Sequence, residues 1–185
     1  TTHFSFSFVR NPFDRLVAAY NNKLLEIDDV PRPMKQMGLH HGMPFPQFID
    51  ILCRCDPEEL DNHVRPQSDM LIAHDILVPK FVGRMEHINE HWHALRRRMK
   101  KENLPALGRL PRKNIRRQGR SDILERFNST TLIDAILQRY ARDFEYFYSA
   151  YSVDNLLQGD QLVKHPPLQR LGSQPKNLQL YQHTA

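Results

Sequence analysis

The stretch that most constrains the fold is FSFSFVRNPFDRLVAAY, residues 4–20. Phe4, Phe6 and Phe8 alternate with serines, the period-two pattern of a strand with one apolar face, expected over 4–9. A helix follows at once. Asn11 can cap it, Pro12 suits its first position, and Asp14 sits where a capping-box acid would. Phe13, Leu16, Val17, Tyr20, Leu24 and Ile27 then recur at helical spacing. Between strand and helix stands Arg10. A helix N-terminus presents N–H groups and the positive end of the helix dipole, so an arginine fork at its mouth suits a phosphate or sulfate. Pairing of Arg10 with Asp14 or Asp28 is the structural alternative.

Further strands and helices alternate along the chain. Residues 28–44, broken by Pro31, Pro33, Gly38, Gly42 and Pro44, read as a loop. A helix is expected over about 46–55, then a short turn opened by Asp56-Pro57-Glu58-Glu59. ILVPKFVGR, 76–84, reads as a buried strand with Pro79 at an edge or a break. A helix begins near Glu86, residues 101–120 form a basic loop, and one long helix covers about 130–148. After 155 the chain is rich in Gln, Pro and Leu without period. It divides into a domain over 1–155 and a poorly ordered or surface-draped tail over 156–185. The alternation predicts an α/β fold with a mostly parallel central sheet flanked by helices. There is no initiator methionine, and the expectation is a domain truncated at its N-terminus.

The net charge of +5 is concentrated. Between Arg96 and Arg120 there are eleven Lys or Arg and one acid, Glu102. Such a block suits a polyanion or is simply a solvated basic surface. Cys53 and Cys55 are too few for a disulfide framework and lack the CxxC spacing of a redox or zinc site. A reducing, cytoplasmic setting follows.

FVRNPFDRLVAAY resembles the 3'-phosphate-binding motif of sulfotransferases, most nearly the carbohydrate sulfotransferase family that includes chondroitin 4-O- and HNK-1 sulfotransferases and bacterial members. The resemblance continues in order. PFPQFIDIL and DNHVRPQSDML resemble a helix followed by a His-x-x-Pro-Gln loop. KFVGRMEHINEHWHALRRRM is similar to a strand–Gly–x–x–Glu–helix segment, and ILQRYARDFEYFY to a Tyr-x-x-Asp-Phe-x-x-Phe helix. Together these cover roughly residues 4–150. The resemblance implies a P-loop-like sulfotransferase fold and transfer of a sulfuryl group from 3'-phosphoadenosine-5'-phosphosulfate to a carbohydrate hydroxyl, without a metal. It makes Arg10 a ligand of the 3'-phosphate, with Arg15 in support. The family's serine two residues before the tyrosine is Ala18 here, so one hydroxyl contact is lost. The loop that cradles the 5'-phosphosulfate would lie upstream of Thr1.

Within this frame His63 is the candidate base, its unperturbed pKa suiting proton transfer near neutrality. Arg65 and Gln67 suit recognition of a sugar carboxylate or hydroxyl. Lys113, Asn114 and Arg116 lie where related enzymes close a loop over the nucleotide, and Lys113 and Arg116 are the candidate donor-binding cations there. Glu86 is expected to pin its helix rather than react. Animal relatives reside in the Golgi lumen, and a bacterial-type cytoplasmic enzyme fits this sequence better. Two other readings remain. The 96–120 block could make the chain a polyanion- or nucleic-acid-binding module, although no aromatic residues interleave with its charges. His87, Glu90 and His91 spell H-x-x-E-H, a zinc-hydrolase pattern with both histidines on one helix face.

Overall fold

The structure, a computed structural model, describes residues 3–110, 120–159 and 166–169. Strand β1 (Phe6–Val9) pairs in parallel with β4 (Phe81–Arg84), with Phe6 opposite Phe81 and Val9 opposite Arg84. A short β5 (Leu168–Gln169) adds to the far side of β4 in antiparallel fashion, giving the order β1-β4-β5. The expected parallel pairing is thus at the centre, and β5 makes the described sheet mixed. The P-loop-like detail of the fold is not among the described elements.

Alternation along β1 sorts the two faces of this sheet. Phe8 and Phe81 point toward α5 (Ile88–Lys101), where they join Trp92, Leu95 and Met99. Val9 and Val82 point the other way, into the main core. The Phe8 ring lies directly over Gly83, where an added Cβ would come within 2.3 Å of it. Gly83→Ala is therefore expected to cost about 1–3 kcal/mol through overpacking. A denaturant midpoint within error of the parent would show that the ring moves aside freely.

The main core is built by helices. α1 (Pro12–Tyr20) carries Phe13, Leu16 and Val17 with no exposed surface, and one π-helical turn, Asn21–Leu25, extends it. α3 (Phe45–Arg54), where the sequence predicted a helix, brings Phe45, Phe48, Ile49 and Leu52 to the same core. The segment read as a loop contains a short helix, α2 (Arg32–Gln36). Pro31 and Pro33 start it, because proline is tolerated in a first helical turn. Pro79 does mark a break: β2 (Ile72–Ala73) and β3 (Ile76–Leu77) form a separate hairpin before β4 starts. The hairpin follows directly on α4 (Gln67–Leu71), and Pro79 lies between it and β4.

The C-terminal half differs most from expectation. A helix absent from the sequence reading, α6 (Arg120–Arg126), buries Ile123. The long helix is two, α7 (Thr130–Arg139) and α8 (Ala141–Tyr148), hinged at Tyr140 with φ −108° and ψ 23°. Tyr140 is buried and its hydroxyl donates to the Val64 carbonyl at 2.5 Å, which fixes the hinge against the loop before α4. Helix α9 (Val153–Gln158) straddles the expected domain boundary at 155. Leu156 and Leu157 are core residues, so the tail assignment is corrected at these positions, as it is at β5. The apolar pair gains more from burial than a draped tail would.

Candidate functional site

β1 and β4 run parallel, so Arg10 and Arg84 emerge at the same end of the sheet, where open α/β sheets bind ligands. Four separate segments converge there. Asn11 caps α1: its Oδ1 accepts from Phe13 N at 3.2 Å, and its Nδ2 donates to the Leu156 carbonyl at 2.7 Å. The Asn11 backbone N–H donates to Glu86 Oε1 at 2.6 Å. Tyr148 Oη donates to the other oxygen of Glu86 at 3.2 Å. Gln67 embraces the Arg10 peptide, its Oε1 accepting from Arg10 N and its Nε2 donating to Arg10 O, each at 2.8 Å. Asp143 then holds Gln67: its carboxylate accepts from the backbone N–H groups of Gln67 and Ser68 at 2.8 and 2.7 Å, and from Gln67 Nε2 at 3.2 Å.

This network revises several expectations. The mouth of α1 is satisfied internally, since Glu86 and the Asn11 side chain already accept from the N–H groups of Asn11 and Phe13. An anion there relies on the Arg10 side chain more than on helix N–H groups. Gln67 is buried with both ends of its amide committed to Arg10 and Asp143, so it positions the strand exit rather than facing a sugar. Arg15 is also committed. Its two terminal nitrogens donate to the carbonyls of Arg65 and Asn62, at 2.5 and 2.7 Å, and burial pulls its pKa down. It straps the 62–65 loop to α1 instead of meeting a phosphate. Ala18, one turn beyond Arg15, is half-buried and offers only a methyl group.

His63 lies on that strapped loop with its side chain 51% exposed. Its Nδ1 is 2.7 Å from Asp61 Oδ1, which also accepts the His63 backbone N–H at 2.9 Å. A carboxylate at Nδ1 holds the proton there and leaves Nε2 as the outward lone pair, the arrangement a general base needs. Arg65 Nη2 donates to the Glu58 carbonyl at 2.6 Å, while its Nε is buried without a partner. Lys113, Asn114 and Arg116 lie outside the described residues.

The sequence reading gave no role to Asp143 or Arg84, although both stand within the motifs it quoted. Asp143 sits within the apolar stripe of Tyr140, Phe144 and Phe147, and an acid on a buried face signals a carboxylate with backbone partners. Arg84 is buried, with Nε donating to Phe147 O at 2.8 Å, Nη1 to Pro166 O at 3.1 Å, and its guanidinium over the rings of Tyr148 and Tyr151. It ties β4 to α8 and to the segment leading into β5. The zinc pattern is taken up differently: His91 Nδ1 accepts the Arg84 N–H at 2.7 Å, and His87 Nε2 is 3.4 Å from Tyr151 Oη. Both rings are structural parts of the β4–α5 junction, 5.6 Å apart. Among the described residues no three His, Cys, Asp or Glu side chains converge as a metal-binding group.

Comparison with known families matches residues 1–149 to the one described as the sulfotransferase family. The chain belongs to the sulfotransferase family. It is an enzyme by that membership, a transferase of sulfuryl groups onto a hydroxyl-bearing acceptor. No curated protein matches the sulfotransferase chain, and no solved structure does. Among its described residues no helix is long and apolar enough to cross a membrane.

Glu86 offers a test of the junction by pH. Burial raises its pKa above the usual carboxylate range, and the Asn11 N–H offsets part of that rise. A carboxyl whose folded pKa is raised binds its proton better in the folded state. Its contribution is therefore most favourable below the unfolded value of about 4.3 and declines as pH climbs to the folded one. Glu86→Gln has no such slope. The stability of this variant relative to the parent is expected to rise with pH across that window, read from urea midpoints. A constant difference would mean that Glu86 has an ordinary pKa in the fold.

Proposed function

We propose that this sulfotransferase moves the sulfuryl group of 3'-phosphoadenosine-5'-phosphosulfate onto a carbohydrate hydroxyl, with Arg10 gripping the 3'-phosphate. The observation that carries this reading is the position of Arg10. Gln67, itself held by Asp143, bonds both the N–H and the carbonyl of Arg10 at the carboxyl end of β1, and Glu86 accepts from the next N–H, that of Asn11. Such effort to fix one backbone unit preorganises the side chain that it carries.

In the proposed reaction the acceptor oxygen forms a bond to sulfur as the bond from sulfur to the 5'-phosphate oxygen breaks. The acceptor proton passes to Nε2 of His63, and Asp61 steadies the imidazolium that forms. As in phosphoryl transfer, most of the acceleration comes from positioning and charge stabilisation. Arg65, on the same loop as His63, is the proposed acceptor contact. Lys113 and Arg116 remain proposed donor contacts. The 5'-phosphosulfate end of the donor is not assigned to residues of this chain, and the P-loop-like character of the fold is part of the same reading. A cytoplasmic setting goes with the two free thiols, Cys53 and Cys55, with the Golgi lumen as the alternative.

Calorimetric titration with 3'-phosphoadenosine-5'-phosphate tests the donor half-site. Saturable binding lost in Arg10→Ala is expected. Ala18→Ser, which restores a hydroxyl on α1, is expected to tighten binding about tenfold, the worth of one good hydrogen bond to a charged group. Binding by the parent that Arg10→Ala leaves intact would overturn the assignment of Arg10.

A further inference from the structure

Helix α5 ends by folding its chain back on itself. Asn103 takes φ +54°, Glu102 N donates to Arg98 O at 3.1 Å, and Leu104 N to Met99 O at 2.9 Å. A left-handed residue just past a helix end, with hydrogen bonds to the last turn, reverses the chain direction. The returning segment is pinned upstream, where Trp92 Nε1 donates to the Gly108 carbonyl at 3.2 Å. Leu104 and Leu107 pack under it against the Phe81–Leu95–Met99 cluster. Helix and return segment enclose a groove of about 560 Å³.

One wall of the groove is cationic. His93, Arg96, Arg97 and Lys100 line it, and all four are exposed. On a helix these positions share one face and spread over about 10 Å of axis. Among the described residues no acid lines the groove. Glu102, the only acid between Arg96 and Leu110, is paired with Arg98 instead. Like charges held this close repel unless an anion lies among them. The opposite wall is uncharged, with Leu104, Ala106 and Leu107.

The groove is not at the transfer site. α5 starts beside Arg84, at the Arg10 end of the sheet, because His91 accepts the Arg84 N–H. It then runs back across the sheet so that Leu95 and Met99 meet Phe81, the first residue of β4. Lys100 stands twelve residues beyond Ile88, or about 18 Å along the axis.

We propose that this groove is a second binding site, for an anionic carbohydrate chain bearing sulfate or carboxylate groups on successive sugars. Arginine forks and a lysine bind such groups directly, and the aliphatic wall meets the C–H faces of sugar rings. Among the described residues no Phe, Tyr or Trp lines the groove, so they offer no ring of that kind for the stacking that holds single-stranded nucleic acid. The site goes beyond the donor reading and does not depend on it. It would hold a long acceptor, or a product already sulfated, at a distance from the reacting hydroxyl.

Titration of the whole chain with a sulfated hexasaccharide tests this, beside the unsulfated hexasaccharide and a single-stranded oligonucleotide of equal charge. Saturable binding of the sulfated sugar alone is expected, weakening about tenfold as salt rises from 50 to 200 mM. Arg97→Gln with Lys100→Gln is expected to weaken it at least about tenfold, and the single charge reversal Arg97→Glu serves if the double variant is unfolded. Arg10→Ala is expected to leave it unchanged. The proposal is overturned by an absence of saturable binding, by binding that the groove variants do not affect, or by tighter binding of the oligonucleotide. Loss of binding in Arg10→Ala would place the sugar at the transfer site instead. Failure of the donor reading shows separately, in the 3'-phosphoadenosine-5'-phosphate titration.

Discussion

Asp143→Ala is expected to destabilise the domain by about 3–4 kcal/mol, because it strips the acceptor from donors that cannot reach water. Asp143 has no exposed surface, and its carboxylate accepts from Gln67 N, Ser68 N and Gln67 Nε2. Gln67 and Ser68 are buried too. Each orphaned backbone N–H costs about 1–3 kcal/mol, and the truncated side chain leaves a void besides. Asp143→Asn keeps one acceptor oxygen but turns an NH2 group toward the remaining donors, so an intermediate loss is expected. The effect extends to the site, since Gln67 that is no longer held from behind cannot fix the Arg10 peptide. Urea unfolding would measure the loss, and a change below about 1 kcal/mol would mean that water or another residue replaces the carboxylate.

Asn11→Ala is the second large effect, expected at about 2–3 kcal/mol. The cap to Phe13 N is worth about 1 kcal/mol. The larger share comes from Leu156 O, a buried carbonyl that loses its donor, at about 1–3 kcal/mol. The two losses fall on opposite ends of the chain, so hydrogen exchange separates them. Faster exchange in the first turn of α1 together with α9 is the expected pattern. Acceleration confined to α1 would show that the Asn11–Leu156 bond contributes little.

The parts legible in the sequence were those set by local rules. The strand at β1, the capped start of α1 and the apolar face of α3 follow from periodicity and capping, which need only neighbouring residues. Tyr140 was read as one position in a continuous helix because its spacing fits the stripe, yet its hydroxyl bonds a carbonyl 76 residues away and the helix breaks there. Leu156 and Leu157 looked like tail because six residues are too few for a period to show. The site divides in the same way. Arg10 and His63 lie within short motifs, while the pairing of His63 with Asp61 emerges only from the fold. Gln67 and Arg15 looked functional because polar residues near an arginine suit ligand contacts, whereas the structure uses both for internal hydrogen bonds. Only the fold reveals which donors are already spent.

The hydrogen bonds around Arg10 also order events in time. Gln67 is 57 residues from Arg10 in sequence, Asp143 is 76 from Gln67, and Leu156 is 145 from Asn11. Closing loops of that length is slow, and such contacts form after local helices. A nascent chain could therefore complete α1 and α3 long before α8 and α9 exist. Through that interval Arg10, the proposed donor contact, would have no fixed address, and the site at the end of β1 would be completed as the last act of folding.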